Sequence, residues 1–245
     1  MRRLFRWIKR WIQRLILLTL LVIAAAGGYL LHEGYQMYEE ALAETPVQQV
    51  IESIQAKPSY TPLEQIPLLY QNAVVAAEDH RFYKHNGLDY IAIGRAMYRN
   101  VKAGELNEGG STITQQLAKN QFFTQKKQLT RKVAEIFMVR EIEKLYEKEE
   151  ILELYMNSVY YGDGYYCIAD ASMGYFGKHP WQMSAYECTL LAGIPNAPSV
   201  YAPTVNPELA AQLFQPCLFF SRQFHDVPPF VCFGSKMLRT SCAGS

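Results

Sequence analysis

Leu15–Leu31 is a run of 17 residues in which Thr19 is the only clearly polar side chain. At about 1.5 Å per residue a helix of this run spans roughly 25 Å, and counting from Trp11 brings it close to the thickness of a bilayer's hydrocarbon core. Neither face is polar, which argues against an amphipathic helix of a soluble core. Arg2, Arg3, Arg6, Lys9, Arg10 and Arg14 precede the run, and Glu33, Glu39, Glu40 and Glu44 follow it. Trp7 and Trp11 stand where an interfacial aromatic belt lies, and the positive-inside bias puts residues 1–14 in the cytoplasm. The expectation is therefore a single signal-anchor over 15–31 with everything after it outside the membrane. A cleaved signal peptide is the competing reading, because Ala24-Ala25-Ala26 resembles a small-residue cleavage site. The continuation through Tyr29-Leu30-Leu31 favours the anchor.

The anchor also explains the charge balance. The net charge of +1 hides six of the 24 Lys and Arg in the first 14 residues, which leaves 18 basic against 23 acidic residues in the remainder. An acidic body with a basic amino terminus excludes a general nucleic-acid binder, whose positive charge sits on the folded part. The five cysteines, Cys167, Cys188, Cys217, Cys232 and Cys242, contain no C-x-x-C pair, so neither a zinc ribbon nor a disulfide scaffold fits.

Beyond the anchor, residues 32–65 read as a stalk, polar and acidic at helical spacing and then broken by Pro58, Pro62 and Pro67. The domain proper is expected over 66–212 and reads as mainly α, with helical periods over 68–77, 90–102, 112–122, one long stretch 129–156, and 184–193. No alternating strand ladder is present. The tail, 213–245, holds three of the five cysteines and four charged residues without sustained period. It reads as a frameshifted or truncated end, or as a small extension.

Three segments could carry chemistry. Glu78 to Gly87 follows the apolar run Ala73–Ala77, and a carboxyl at the end of a buried helix is desolvated into a plausible general acid or base. A plain ion pair with Arg81 or Lys84 is the alternative, and His85 alone reads as a hydrogen-bonded loop histidine. Gly109 to Asn120 contains Thr112 and Gln115 at capping-box spacing behind a double glycine, a helix start that could bind an anion or simply be well capped. From Gly109 to Ala134 there is no Asp or Glu, while Lys119, Lys126, Lys127, Arg131 and Lys132 are all present. That local excess suggests a phosphate or diphosphate partner, with a solvated basic face as the alternative. Finally, Arg131 and Glu135 stand one helical turn apart, as an ordinary ion pair or as a phosphate-holding Arg beside a second carboxylate. Two carboxylates near a cationic patch suit glycosyl transfer with a diphosphate leaving group.

Together these segments resemble the peptidoglycan glycosyltransferases of family 51. The pattern E-D-x-x-F-x-x-H-x-G stands at Glu78–Gly87, G-x-S-T-I-T-Q-Q-L-x-K-N at Gly109–Asn120 and R-K-x-x-E at Arg131–Glu135. A fourth motif runs from Ile151 through Gly162, with Met156 where Leu is usual, and a fifth from Glu187 to Pro198. The resemblance implies a lysozyme-like, mainly α glycosyltransferase domain behind a single transmembrane helix, polymerising lipid II on the outer face of the cell membrane. It implies Glu78 as the base that deprotonates the acceptor GlcNAc 4-hydroxyl during inverting attack on the lipid-linked donor, giving a β-1,4 bond. Lys119 and Arg131 would hold the lipid diphosphate, with Lys127 and Lys132 as further contacts. Glu135 would support leaving-group departure, through a divalent cation (Mg or Mn) bridging the diphosphate. His85, Ser111, Thr112, Gln115, Gln116 and Asn120 complete the substrate-binding set. The partners implied are lipid II, the growing glycan strand, membrane lipid and cell-wall synthesis proteins.

Two departures stand out: resemblance stops at Leu213, and no S-x-x-K followed by K-T-G is present, so penicillin binding is not expected. A lysozyme-like muramidase and a catalytically dead membrane scaffold are the competing classes. A hydrolase has no use for a diphosphate clamp, and the intact Glu78 and Glu135 count against a scaffold.

Overall fold

The structure, a computed structural model, describes residues 2–104, 109–123 and 129–205, with the side chains of residues 2–5 excepted. Lys126, Lys127 and the tail from 206 onward lie outside the described residues. All regular structure among the described residues is helical.

Helix α1, Arg2–Glu44, continues without a break from the basic amino terminus through the apolar run and on into the domain. Its apolar part is long enough to cross a membrane and has no buried residue, as befits side chains whose natural solvent is lipid. Below that run the helix changes partner and lies along α6, Leu129–Leu145. Gly34 makes the approach possible: a Cβ there would stand 2.5 Å from Val133 Cβ. Tyr35 and Tyr38 flank Phe137 with ring centroids 5.2 and 5.8 Å away.

The segment read as a stalk is in fact part of the core. In α2, Val47–Gln55, the residues Val47, Val50, Ile51 and Ile54 form a buried stripe at helical spacing. The polar average over 32–57 concealed that stripe, because the acidic residues occupy the other faces. The proline-rich stretch that follows is fastened to α7, Lys148–Met156: the Asn157 side chain exchanges two 2.9 Å hydrogen bonds with the backbone of Thr61, and Tyr60 and the Leu63 N–H both donate to Glu153.

The long helix expected over 129–156 is two helices. The chain turns between Leu145 and Lys148, where the Glu150 carboxylate accepts from the Glu147 N–H at 2.8 Å and starts α7. Apolar period alone does not reveal such a break when both helices face one core. That core gathers α3 (Leu68–Glu78), α5 (Ile113–Phe122), α6, α7, α8 (Ile168–Phe176) and α9 (Ala185–Gly193) around Tyr70, Phe82, Ile113, Leu117, Met138, Tyr155 and Leu191, all at most 2% exposed. Cys167 and Cys188 are free, buried thiols, Cys167 Sγ donating to the Ser59 carbonyl at 3.0 Å, and burial pushes both up, Cys188 to about 12. The last described helix, α10, is the single turn Pro198–Tyr201. α4, Tyr90–Ala103, is capped by Asp89, whose carboxylate accepts from the N–H groups of Ile91 and Ala92 at 2.9 and 3.0 Å.

Candidate active site

Three chain segments build the site. Glu78 is the last residue of α3, delivered there because Ala73, Val74 and Val75 bury the preceding turn. Its Oε2 accepts a 2.6 Å hydrogen bond from Gln116 Nε2, while its buried Oε1 has no hydrogen-bond partner among the described residues. Burial pushes this carboxyl above its ordinary value of 4.5, and adjacent Asp79 adds to the rise, whereas Gln116 and Lys119 oppose it. The alternative of an ion pair with Arg81 does not hold, since Arg81 Nε stands 3.0 Å from Asp89 Oδ2.

The second segment is the start of α5. Thr112 Oγ1 accepts from the Gln115 N–H and Gln115 Oε1 accepts from the Thr112 N–H, both at 3.1 Å, so the capping box read from the sequence is present. The same threonine hydroxyl donates to the Gly87 carbonyl at 2.6 Å, and Asp79 Oδ2 accepts from the Ile113 N–H at 3.2 Å. These bonds lock the Glu78 loop onto the α5 terminus. His85 belongs to the same lock: its Nε2 is 3.0 Å from each Asp79 oxygen, and its side chain is only 6% exposed. Among the residues implied to contact substrate, His85 and Thr112 are thus turned inward as fasteners. In the grouping of Asp79, His85 and Asp89 the two carboxylates are engaged by the Ile113 N–H, Arg81 and the α4 cap, while His85 Nδ1 is buried without a hydrogen-bond partner among the described residues.

The third segment is one face of α6. Glu135 is 0% exposed and takes a cation on each oxygen, Arg131 Nε at 3.1 Å and Lys132 Nζ at 2.8 Å. Lys132 also donates to Ser111 Oγ at 3.0 Å, which ties α6 to the double-glycine loop before α5. Lys119, on the last turn of α5, is half-buried among these groups. Burial holds its ammonium below the ordinary value; Glu135 and Glu78 pull it up, and Lys132 and Arg131 push it down. Lys119 therefore feels both carboxylates, which joins the two halves of the site into one electrostatic unit. Asn120, beside Lys119 on α5, is partly exposed. The residues fit a protein-held divalent cation poorly, because both Glu135 oxygens already face cations and Lys119 adds a third positive charge.

One part of the site was not anticipated. Beside Ser111, Gln115 and Lys132 opens an apolar groove of about 830 Å³ lined by Leu88, Tyr90, Ile93, Met97, Val101 and Ile136. Tyr90, Met97 and Val101 are 69%, 67% and 78% exposed. The signal available in sequence was an α4 stripe at helical spacing, which by period alone is indistinguishable from a core-facing one.

The transglycosylase family model matches residues 44–219, and the chain belongs to that family. Its domain is a lysozyme-like peptidoglycan glycosyltransferase, anchored by an amino-terminal apolar helix. The chain is 44% identical over 195 residues to a Cupriavidus necator protein provisionally named a transglycosylase, covering 80% of this chain and 83% of that one. It is 46% identical over 153 residues to penicillin-binding protein 1A of Aquifex aeolicus, and 45% identical over 146 residues to penicillin-binding protein 1F of Bacillus subtilis. Those matches cover 62% and 60% of this chain but only 21% and 20% of the relatives, so the chain spans about a fifth of each penicillin-binding protein.

Proposed function

We propose that this chain polymerises lipid II into glycan strands by inverting transfer, with its catalytic domain on the outer side of the cell membrane and residues 1–14 in the cytoplasm. The observation that carries the reading is the pairing of a desolvated, singly hydrogen-bonded Glu78 with the cations Lys119, Arg131 and Lys132. Glu78 takes the proton from the acceptor 4-hydroxyl as that oxygen forms its bond to donor C1. The C1–O bond to the diphosphate breaks with its electron pair, and the cations stabilise the oxyanion that leaves. Glu135 holds Arg131 and Lys132 in place for that task, so that side chains supply positive charge where the diphosphate leaves. The apolar groove beside Lys132 suits the hydrocarbon of a lipid-linked donor.

The test is polymerisation of lipid II by the detergent-solubilised full chain. Glycan strands from the parent support the reading; lipid II left unconsumed by a chain that melts cooperatively overturns it. Because the base acts ionised and its pKa is raised, the acid limb of the pH–rate profile should lie above the ordinary carboxylate value of 4.5.

A further inference from the structure

Behind Glu78 the site continues into the core through one amide. Gln116 Nε2 donates to Glu78 Oε2 at 2.6 Å, and Gln116 Oε1 accepts from the Tyr155 hydroxyl at 3.3 Å. Tyr155 is on α7, is 1% exposed, and lies in the buried cluster with Tyr70 and Tyr161, where it contributes no other side-chain hydrogen bond among the described residues. We propose that Tyr155 is a positioning residue for the general base, holding the Gln116 amide with its nitrogen toward Glu78. This rests on the glycosyltransferase reading for its effect on rate, and on geometry alone for its effect on the carboxyl.

The physical argument concerns the two faces of a primary amide. An ionised Glu78 needs a donor and is served by Nε2, whereas a protonated Glu78 would be served equally well by the amide oxygen. If the amide turned over, its nitrogen could donate to the phenol, but the buried phenolic proton would then lack an acceptor. The hydroxyl therefore favours the orientation that suits the carboxylate and disfavours the one that suits the acid. Other groups that act on Glu78 are Lys119 on α5, which opposes protonation, Asp79 beside it, which favours it, and the neutral phenols of Tyr70 and Tyr155. The Tyr155 hydroxyl bonds to Gln116 and to neither Lys119 nor Asp79, so it can be removed while those charges stay.

The experiment compares parent and Tyr155→Phe full-length chains in detergent. One readout is the pH profile of lipid II polymerisation, and the other is the titration of the Glu78 carboxyl followed by NMR with carbon-13 glutamate, assigned by its absence in Glu78→Gln. Loss of one hydrogen bond should move both the acid limb and the carboxyl titration upward by about half a pH unit to one unit. KM for lipid II should change by less than about two-fold, since the phenol touches no substrate group. A thermal melt separates this from a general loosening, which would lower stability and leave both titrations in place. Coincident titrations for parent and variant overturn the inference, whether or not the parent is active. A parent that makes no polymer overturns the glycosyltransferase reading alone, because the carboxyl titration still decides the role of Tyr155.

Discussion

Glu78 and Glu135 are both carboxylates withdrawn from water within one site, yet their surroundings differ in kind. Glu135 has a cation on each oxygen, while Glu78 has one amide donor and an oxygen without a hydrogen-bond partner among the described residues. A buried carboxylate with both oxygens occupied by cations is placed to hold those cations. One that is desolvated and half-satisfied has an oxygen left to take a proton, and burial raises its proton affinity. Residue type and burial are shared, so the difference between them lies in their partners.

The sharpest break in this comparison is Glu78→Gln. Polymerisation should fall by about 10²- to 10⁴-fold, the range of a lost general base, measured as glycan formed from lipid II. Stability should move the other way. The folded pKa lies above the unfolded one, so ionisation at neutral pH costs folding energy, a cost absent below the unfolded pKa and complete once the pH passes the folded one. Removing the charge should raise stability at pH 7, read from thermal melts at pH 4 and pH 7, with the gain confined to the higher pH.

Glu135→Gln should show the opposite sign. It removes the carboxylate charge faced by Arg131, 12% exposed, and Lys132, 45% exposed. A loss of about 2 kcal/mol is expected, below the range for a fully buried pair because Lys132 reaches water. Equal signs for the two variants in a denaturant titration would undo the distinction between base and anchor.

A smaller effect is expected at Lys119, which both carboxylates influence. Lys119→Ala should slow polymerisation about ten- to a hundred-fold through loss of one charge-assisted contact, and leave the thermal midpoint near the parent's because this ammonium is already disfavoured by burial. Gly34→Leu tests whether the anchor sets the position of the Glu135 half. The added side chain must enter space held by Val133 on α6, and a destabilisation of about 1–3 kcal/mol is expected in detergent, with Arg131 and Lys132 displaced and the α3 end around Glu78 left in place. Hydrogen exchange that increases in α6 but not in α3 would bear this out.

The sequence by itself determined whatever depends on neighbours along the chain. The apolar run and its flanking charge define the span, Thr112 and Gln115 announce a helix start three residues apart, and Arg131 and Glu135 meet because one turn separates them. Both glutamates could be singled out for the same reason, within ordered motifs. Only the tertiary structure decided what lies beyond one turn: that Arg81 serves Asp89 and leaves Glu78 to Gln116, 38 positions away, and that α2 belongs to the core. It also left the α4 stripe open as a groove, although an identical stripe elsewhere would be covered. A helical period states which residues share a face; which helix, lipid or solvent meets that face depends on how the segments pack, and that packing gives Glu78 one amide donor and Glu135 two cations.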